Sequence, residues 1–215
     1  MLGEEMRQEN FRVILALPIL TALGLLGCSA EMEFPIPENQ FCTAIEEGRS
    51  SYAQAKTNPS PNDAERVVSG IRAQRKKEML EIVPSGAILG WSVKIKNLIT
   101  HDEDAQVELE LPCYDVLFID ENLAPKSDVF QALHALFKLA ADQNVVIFGV
   151  LEPNLPEEPD AFRELSGTES DSLSKPRFRI HIRRVFSGKS SLSEEQLREA
   201  HQAIESYTLA SEPQS

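Results

Sequence analysis

The sequence predicts an α+β fold: a small five-stranded antiparallel barrel, a helix between its third and fourth strands, helices before the barrel and one helix after it. Three observations carry this expectation. Two runs of alternating apolar and polar residues, Gly90 to Thr100 and Ala105 to Leu111, are joined by only four polar residues. A continuous apolar run, Val145 to Leu151, has the length and β-branched content of a buried strand. Between and around these runs the apolar spacing lengthens to the helical period, in the segments near 41–82, 127–140 and 192–207.

The first element is not part of that fold. Val13 to Cys28 reads VILALPILTALGLLGC. Crossing the hydrocarbon core takes roughly 20 apolar residues, and a shorter run fits the apolar centre of a secretion signal. Pro18 further disfavours a spanning helix. Arg7 and Arg12 precede the run, but Glu4, Glu5 and Glu9 offset them. A start at Met6 would remove two of these acids and leave a net positive lead.

Residues 28–40 form a short tether, with Pro35 and Pro37 keeping it extended. Residues 41–84 supply two helices, the first reaching back to Glu38. One carries Phe41, Ala44, Ile45 and Tyr52 on a face and ends before Asn58-Pro59-Ser60-Pro61-Asn62. The other runs from about Asp63 to Ile82, with Val67, Val68, Ile71, Met79, Leu80 and Ile82 as its apolar side. Its Arg72, Arg75, Lys76 and Lys77 read first as a solvated face pairing with Glu46, Glu47 and Glu78, and second as a patch for an anionic partner.

The barrel is expected over residues 85–188. In the first hairpin Trp91, Val93, Ile95 and Ile99 alternate with Ser92, Lys94 and Lys96, and Val107, Leu109 and Leu111 alternate with Gln106, Glu108 and Glu110. Lys94 and Lys96 then lie near Glu108 and Glu110, and opposite charges across strands contribute ~0.2–1 kcal/mol per pair. The turn His101-Asp102-Glu103-Asp104 lacks the spacing and glycine of a calcium loop. Val116 to Asp120 is the third strand. Ser127-Asp128 caps a helix through Ala140 whose stripe is Val129, Phe130, Leu133, Leu136, Phe137 and Ala140; His134 sits at its edge. In the fourth strand, Gly149 marks a bulge or a close backbone approach. Glu152 to Lys175 is a Pro-, Glu- and Ser-rich excursion. Pro176 to Phe186 alternates again, with Phe178, Ile180 and Ile182 on one side and Arg177, Arg179, His181 and Arg183 on the other.

That basic stripe has two readings: an anion-binding track, or a strand face that meets Glu108, Glu110 or the acidic excursion. The last segment, 189–215, holds a helix opened by a Ser193/Gln196 capping box and a Leu192/Leu197 staple, followed by a tail.

Charge and cysteines bound the function. The chain has 215 residues with 21 basic and 34 acidic side chains, a formal net charge of −13. Such a chain is repelled by nucleic acid. Of three cysteines, Cys42 and Cys113 remain if Cys28 is modified. In an oxidising compartment they can pair; the alternative is two separate buried thiols. There is no Cys-x-x-Cys, so neither a zinc site nor a redox motif is indicated, and no cofactor is expected.

The residues Leu25-Leu26-Gly27-Cys28 resemble the lipobox of bacterial lipoproteins. The resemblance implies cleavage after Gly27, lipidation of Cys28 and a membrane partner engaged through the acyl chains, at ~0.8 kcal/mol per buried methylene. Ser29, rather than an aspartate, follows the lipidated position, which favours the periplasmic face of the outer membrane. Segment 63–186 is similar to a group of bacterial envelope proteins with an OB-like domain, through Gly90-Trp91, Leu111-Pro112, the Phe130/Leu133/Leu136 helix and Val146-Ile147-Phe148-Gly149. Its element order is that of the five-stranded OB barrel. The resemblance implies a fold and no active site. Trp91, Phe148 and Phe178 fall on the inward alternation, so the stacking aromatics of an oligonucleotide-binding face are missing.

The expectation is a lipid-anchored, non-catalytic binding or interaction module whose partner is an envelope protein or polymer. An OB-type binder of anionic polymer or nucleic acid is the second reading. An envelope hydrolase is the third: His101, His134, His181 and His201 lack a motif around them, and no Gly-x-Ser-x-Gly or His-Glu-x-x-His occurs.

Overall fold

Two long amphipathic helices, a barrel and a C-terminal helix follow one another along the chain. A computed structural model describes residues 36–57, 64–113, 115–139, 144–153, 162–188 and 192–211. Cys28 and the apolar run before it lie outside the described residues.

The helices are α1 (Ile36–Thr57), α2 (Ala64–Ile82), α3 (Asp128–Leu139), α4 (Glu169–Ser174) and α5 (Glu194–Ser211). The strands are β1 (Ala87–Thr100), β2 (Ala105–Glu110), β3 (Leu117–Leu123), β4 (Asn144–Leu151) and β5 (Arg177–Ser187). They close into a barrel in the order β1-β2-β3-β5-β4, with α3 between β3 and β4 in the chain. The expected all-antiparallel barrel is corrected in one place. β3 and β5 run parallel, with Leu117, Phe118 and Ile119 opposite Arg177, Phe178 and Arg179. The excursion after β4 returns the chain to the same end of the sheet, so β5 enters beside β3 in the same direction.

Closure depends on β1, which starts earlier than the alternation implied. Its first half, from Ala87 to Lys94, pairs with β4, and its second half, from Lys94 to Thr100, pairs with β2. Each half carries a bulge. At the first, Gly90 has a φ of +73°, the left-handed region that costs glycine little. Ile88 and Trp91 consequently both face the core although they are three residues apart. The second bulge lies between Ile95 and Asn97. It turns Leu98 toward the core and leaves Ile99 exposed, which corrects the expected inward position of Ile99.

Trp91, Phe118 and Phe178 form an aromatic group in the barrel interior. Phe41 of α1 packs on all three, with ring centroids 5.1, 6.1 and 5.7 Å away. The first helix is thus part of the barrel core, with Ile45 fully buried as well. It starts inside the expected tether. Residues 36–40 are helical, and Pro37 is accommodated in the first turn, where no intrahelical N–H bond is lost. Cys42 of α1 is disulfide-bonded to Cys113 in the loop between β2 and β3. On the other side α3 buries Phe130 and Leu133 against the same core. Ser127 caps it, its Oγ accepting the Phe130 N–H at 3.2 Å.

A second, smaller core lies outside the barrel. Phe148 and Val150 of β4 pack under Ala200 and Ile204 of α5. Phe148 therefore faces outward, not inward as its alternation indicated. α5 covers it, which is why the residue is still buried. The capping box at the start of α5 is formed: Gln196 Oε1 accepts the Ser193 N–H at 2.9 Å, and Ser193 Oγ accepts the Gln196 N–H at 3.2 Å.

Arg75 departs from both readings of the α2 basic segment. It is 1 % exposed. Its guanidinium donates to the Ser172 carbonyl, to Ser172 Oγ at 2.9 Å and to both carboxylate oxygens of Glu164 at 3.0 Å. Arg75 straps the described part of the excursion, including α4, to the helical hairpin, with Arg49 donating to the Ser174 carbonyl and Arg72 lying 3.9 Å from Glu164. Tyr52 adds a bond to Ser170 Oγ at 2.7 Å.

Candidate functional site

The outward face of β5 carries the densest positive charge in the sequence. Alternation alone puts Arg177, Arg179 and His181 on that face. At Arg183 the ladder slips: Phe148 pairs with Arg184 but Gly149 pairs with Ile182, so Arg183 is the extra residue of a bulge. The strand can approach there because residue 149 has no side chain. A Cβ on Gly149 would sit 2.8 Å from the His181 carbonyl oxygen. Gly149 was expected to mark a bulge or a close backbone approach; the structure places both at this point.

Carboxylates from three places meet the stripe. Arg177 contacts Glu108 of β2 at 3.0 Å. Arg179 is paired with Glu121 of β3 and lies 3.6 Å from Glu152. His181 Nε2 is 3.4 Å from the same Glu152, which also accepts from Arg163 at 2.6 Å. Lys96 pairs with Glu110 at 3.0 Å on the neighbouring strands. Arg177, Arg179 and His181 thus face built-in anions, and a phosphate track there would have to displace them.

Arg183 differs. Its guanidinium carbon lies 3.7 Å from the centroid of the Tyr207 ring on α5, a stacked cation–π contact. Together with Lys126 and Arg184 it lines a cleft of about 570 Å³ between the end of β3, the first turn of α3 and β5. Lys126 and Arg184 are exposed, and neither has a carboxylate partner among the described residues. Asp120 forms the floor. It is 3 % exposed, and its two oxygens accept the backbone N–H groups of Ile182 at 2.8 Å and Asn122 at 3.1 Å. Burial pushes its carboxyl above the ordinary 3.8, against the pull of these two bonds and of the nearby His181 and Arg183 charges.

A second buried acid sits elsewhere. Glu38 in the first turn of α1 is 1 % exposed, and its Oε2 accepts the Ser92 N–H at 3.1 Å. Desolvation raises its pKa to about 7, partly opposed by that bond.

Lys126, Arg184, Asp120 and Tyr207 were not legible as site residues. Lys126 reads as a turn residue and Tyr207 as the end of a helix. The Arg183-Arg184 pair was the available signal, since strict alternation would have sent Arg184 inward. Among the described residues no group of three or more His, Cys, Asp or Glu is placed to hold a metal ion. Among them, too, no helix is long and apolar enough to cross a membrane. No protein-family model matches the chain, and no curated protein or solved structure matches it.

Proposed function

We propose that this chain is a lipid-anchored protein of the bacterial envelope whose OB-like barrel is a non-catalytic binding or interaction module. The observation that carries the anchor is the sequence Leu25-Leu26-Gly27-Cys28 directly after an apolar run too short to span comfortably. The thioether-linked lipid on Cys28 holds the module at the periplasmic face of the outer membrane. The OB-like assignment is supported by the strand order β1-β2-β3-β5-β4, the parallel β3–β5 pair and the place of α3 between β3 and β4. Its partner is an envelope protein or polymer rather than nucleic acid. The net charge of −13 opposes a polyanion, and the carboxylates on Arg177 and Arg179 already occupy the track such a polymer would use.

The test is fractionation of a bacterial host producing the chain, with Cys28→Ser alongside, followed by crosslinking in intact cells. The wild type is expected in the membrane fraction, crosslinked to an envelope component, and the variant in the soluble fraction. A Cys28→Ser chain that stays with the membrane would remove the lipid anchor from the account.

A further inference from the structure

The geometry points to the cleft between β3, α3 and β5 as a binding site for a small, polar phosphate ester. The inference rests on the reading of the barrel as a binding module, but not on the lipid anchor. Three features carry it together. First, Lys126, Arg183 and Arg184 converge on one cavity of about 570 Å³, within the ~300–1,000 Å³ of ordinary small-molecule sites. Second, the cations of β5 divide at this point. Arg177, Arg179 and His181 are matched by Glu108, Glu121 and Glu152, whereas Arg183 is held by an aromatic face, and Lys126 and Arg184 have no carboxylate partner among the described residues. Stacking on Tyr207 restrains the Arg183 guanidinium, while Lys126 and Arg184 are exposed to an incoming anion. Third, the cleft holds two acids against three cations, and of those cations it is Arg183 whose charge acts on the buried Asp120. Both oxygens of Asp120 are engaged by backbone N–H groups, and Asp128 is exposed at the start of α3.

Apart from His181, which faces Glu152, the lining holds three positive groups against two negative ones, on a chain of net charge −13. Counterions screen the distant acids beyond about 8 Å, so the local balance decides what enters. A phosphate dianion fits two guanidinium groups and an ammonium better than a single carboxylate does, because it offers three oxygens in different directions. The first turn of α3, capped by Ser127, adds its dipole to the same wall. The lining is mostly polar side chains and backbone, which selects a soluble sugar phosphate over a lipid headgroup with its acyl chains.

The experiment is titration calorimetry of the full chain in detergent micelles, with inorganic phosphate and glucose 1-phosphate as probes. A parallel arm uses vesicles containing phosphatidylglycerol. Saturable binding of the sugar phosphate is expected. It should weaken by about tenfold or more in Lys126→Gln/Arg184→Gln, which removes two charge-assisted contacts from exposed positions, while urea unfolding of that variant matches wild type. Arg177→Gln, on the same strand but outside the cleft, should bind as wild type does. Absence of saturable binding up to about 10 mM, the scale of a very weak site, would overturn the inference. So would equal binding by the double variant, or binding to vesicles alone. A chain that binds neither phosphate yet still crosslinks to an envelope component would refute this ligand class and leave the binding-module reading standing.

Discussion

Replacing Glu38 by Gln should stabilise the protein at mildly alkaline pH and do little at acid pH. The carboxyl is 1 % exposed, and its pKa is raised from the ordinary 4.5 to about 7. Between those values the folded protein binds a proton that the unfolded chain does not, so folding stability falls as pH rises through this window. Fully developed, above about pH 7, the penalty is the 1.36 kcal/mol per pKa unit multiplied by the difference, about 3 kcal/mol. Gln carries no charge at any pH and keeps an oxygen to accept the Ser92 N–H. Urea unfolding of the oxidised protein at about pH 5 and about pH 8 reads the effect directly, because the Asp120 contribution is common to both proteins and cancels. Glu38→Gln should exceed wild type by about 3 kcal/mol at the higher pH and by about 1 kcal/mol or less at the lower. A difference that does not change between the two would show that Glu38 is not buried as an uncompensated acid, and the placement of the α1 first turn on β1 would be wrong.

Other expectations concern the ties between the helices and the barrel. The Cys42–Cys113 disulfide closes a loop with a sequence separation of 71, and loop-closure entropy assigns such a cross-link about 4 kcal/mol. Cys42→Ser/Cys113→Ser should therefore unfold at markedly lower urea, and reductant should lower the wild type to the same midpoint. Arg75→Ala leaves Glu164, at 4 % exposure, without its buried partner, which should cost about 3–5 kcal/mol in urea unfolding. Gly149→Ala forces a Cβ to within 2.8 Å of the His181 carbonyl; a loss of about 1–3 kcal/mol is expected, and an unchanged thermal midpoint would mean that the β4–β5 bulge is not as described.

The barrel was legible because its inward positions obey period two over most of their length. Val107 and Leu109 on β2, and Phe178, Ile180 and Ile182 on β5, are all buried as the alternation requires. Alternation misleads where the period breaks. The bulge between Ile95 and Asn97 exchanges Leu98 for Ile99, and no local composition marks it. It misleads again where a second layer covers the first. Phe148 is apolar because α5 lies on it, and a single strand cannot distinguish that cover from the barrel interior. The parallel β3–β5 pair follows from the return path of the excursion, a long-range fact that neither strand encodes alone. Arg75 sits among Arg72, Lys76 and Lys77, and helical periodicity gives no sign that one of four neighbouring cations is buried on partners about 90 residues further along the chain. At the cleft, the charges on β5 were visible in sequence. Which of them meet carboxylates and which line a cavity depends on β2, β3 and α5 together.

The measurement to make is the intact mass of the protein from a bacterial host, beside that of Cys28→Ala. A lipid-anchored chain lacks residues 1–27 and is heavier by its acyl groups, with the added mass absent from the variant. An unmodified chain, whether cleaved or full length, would contradict the lipid anchor.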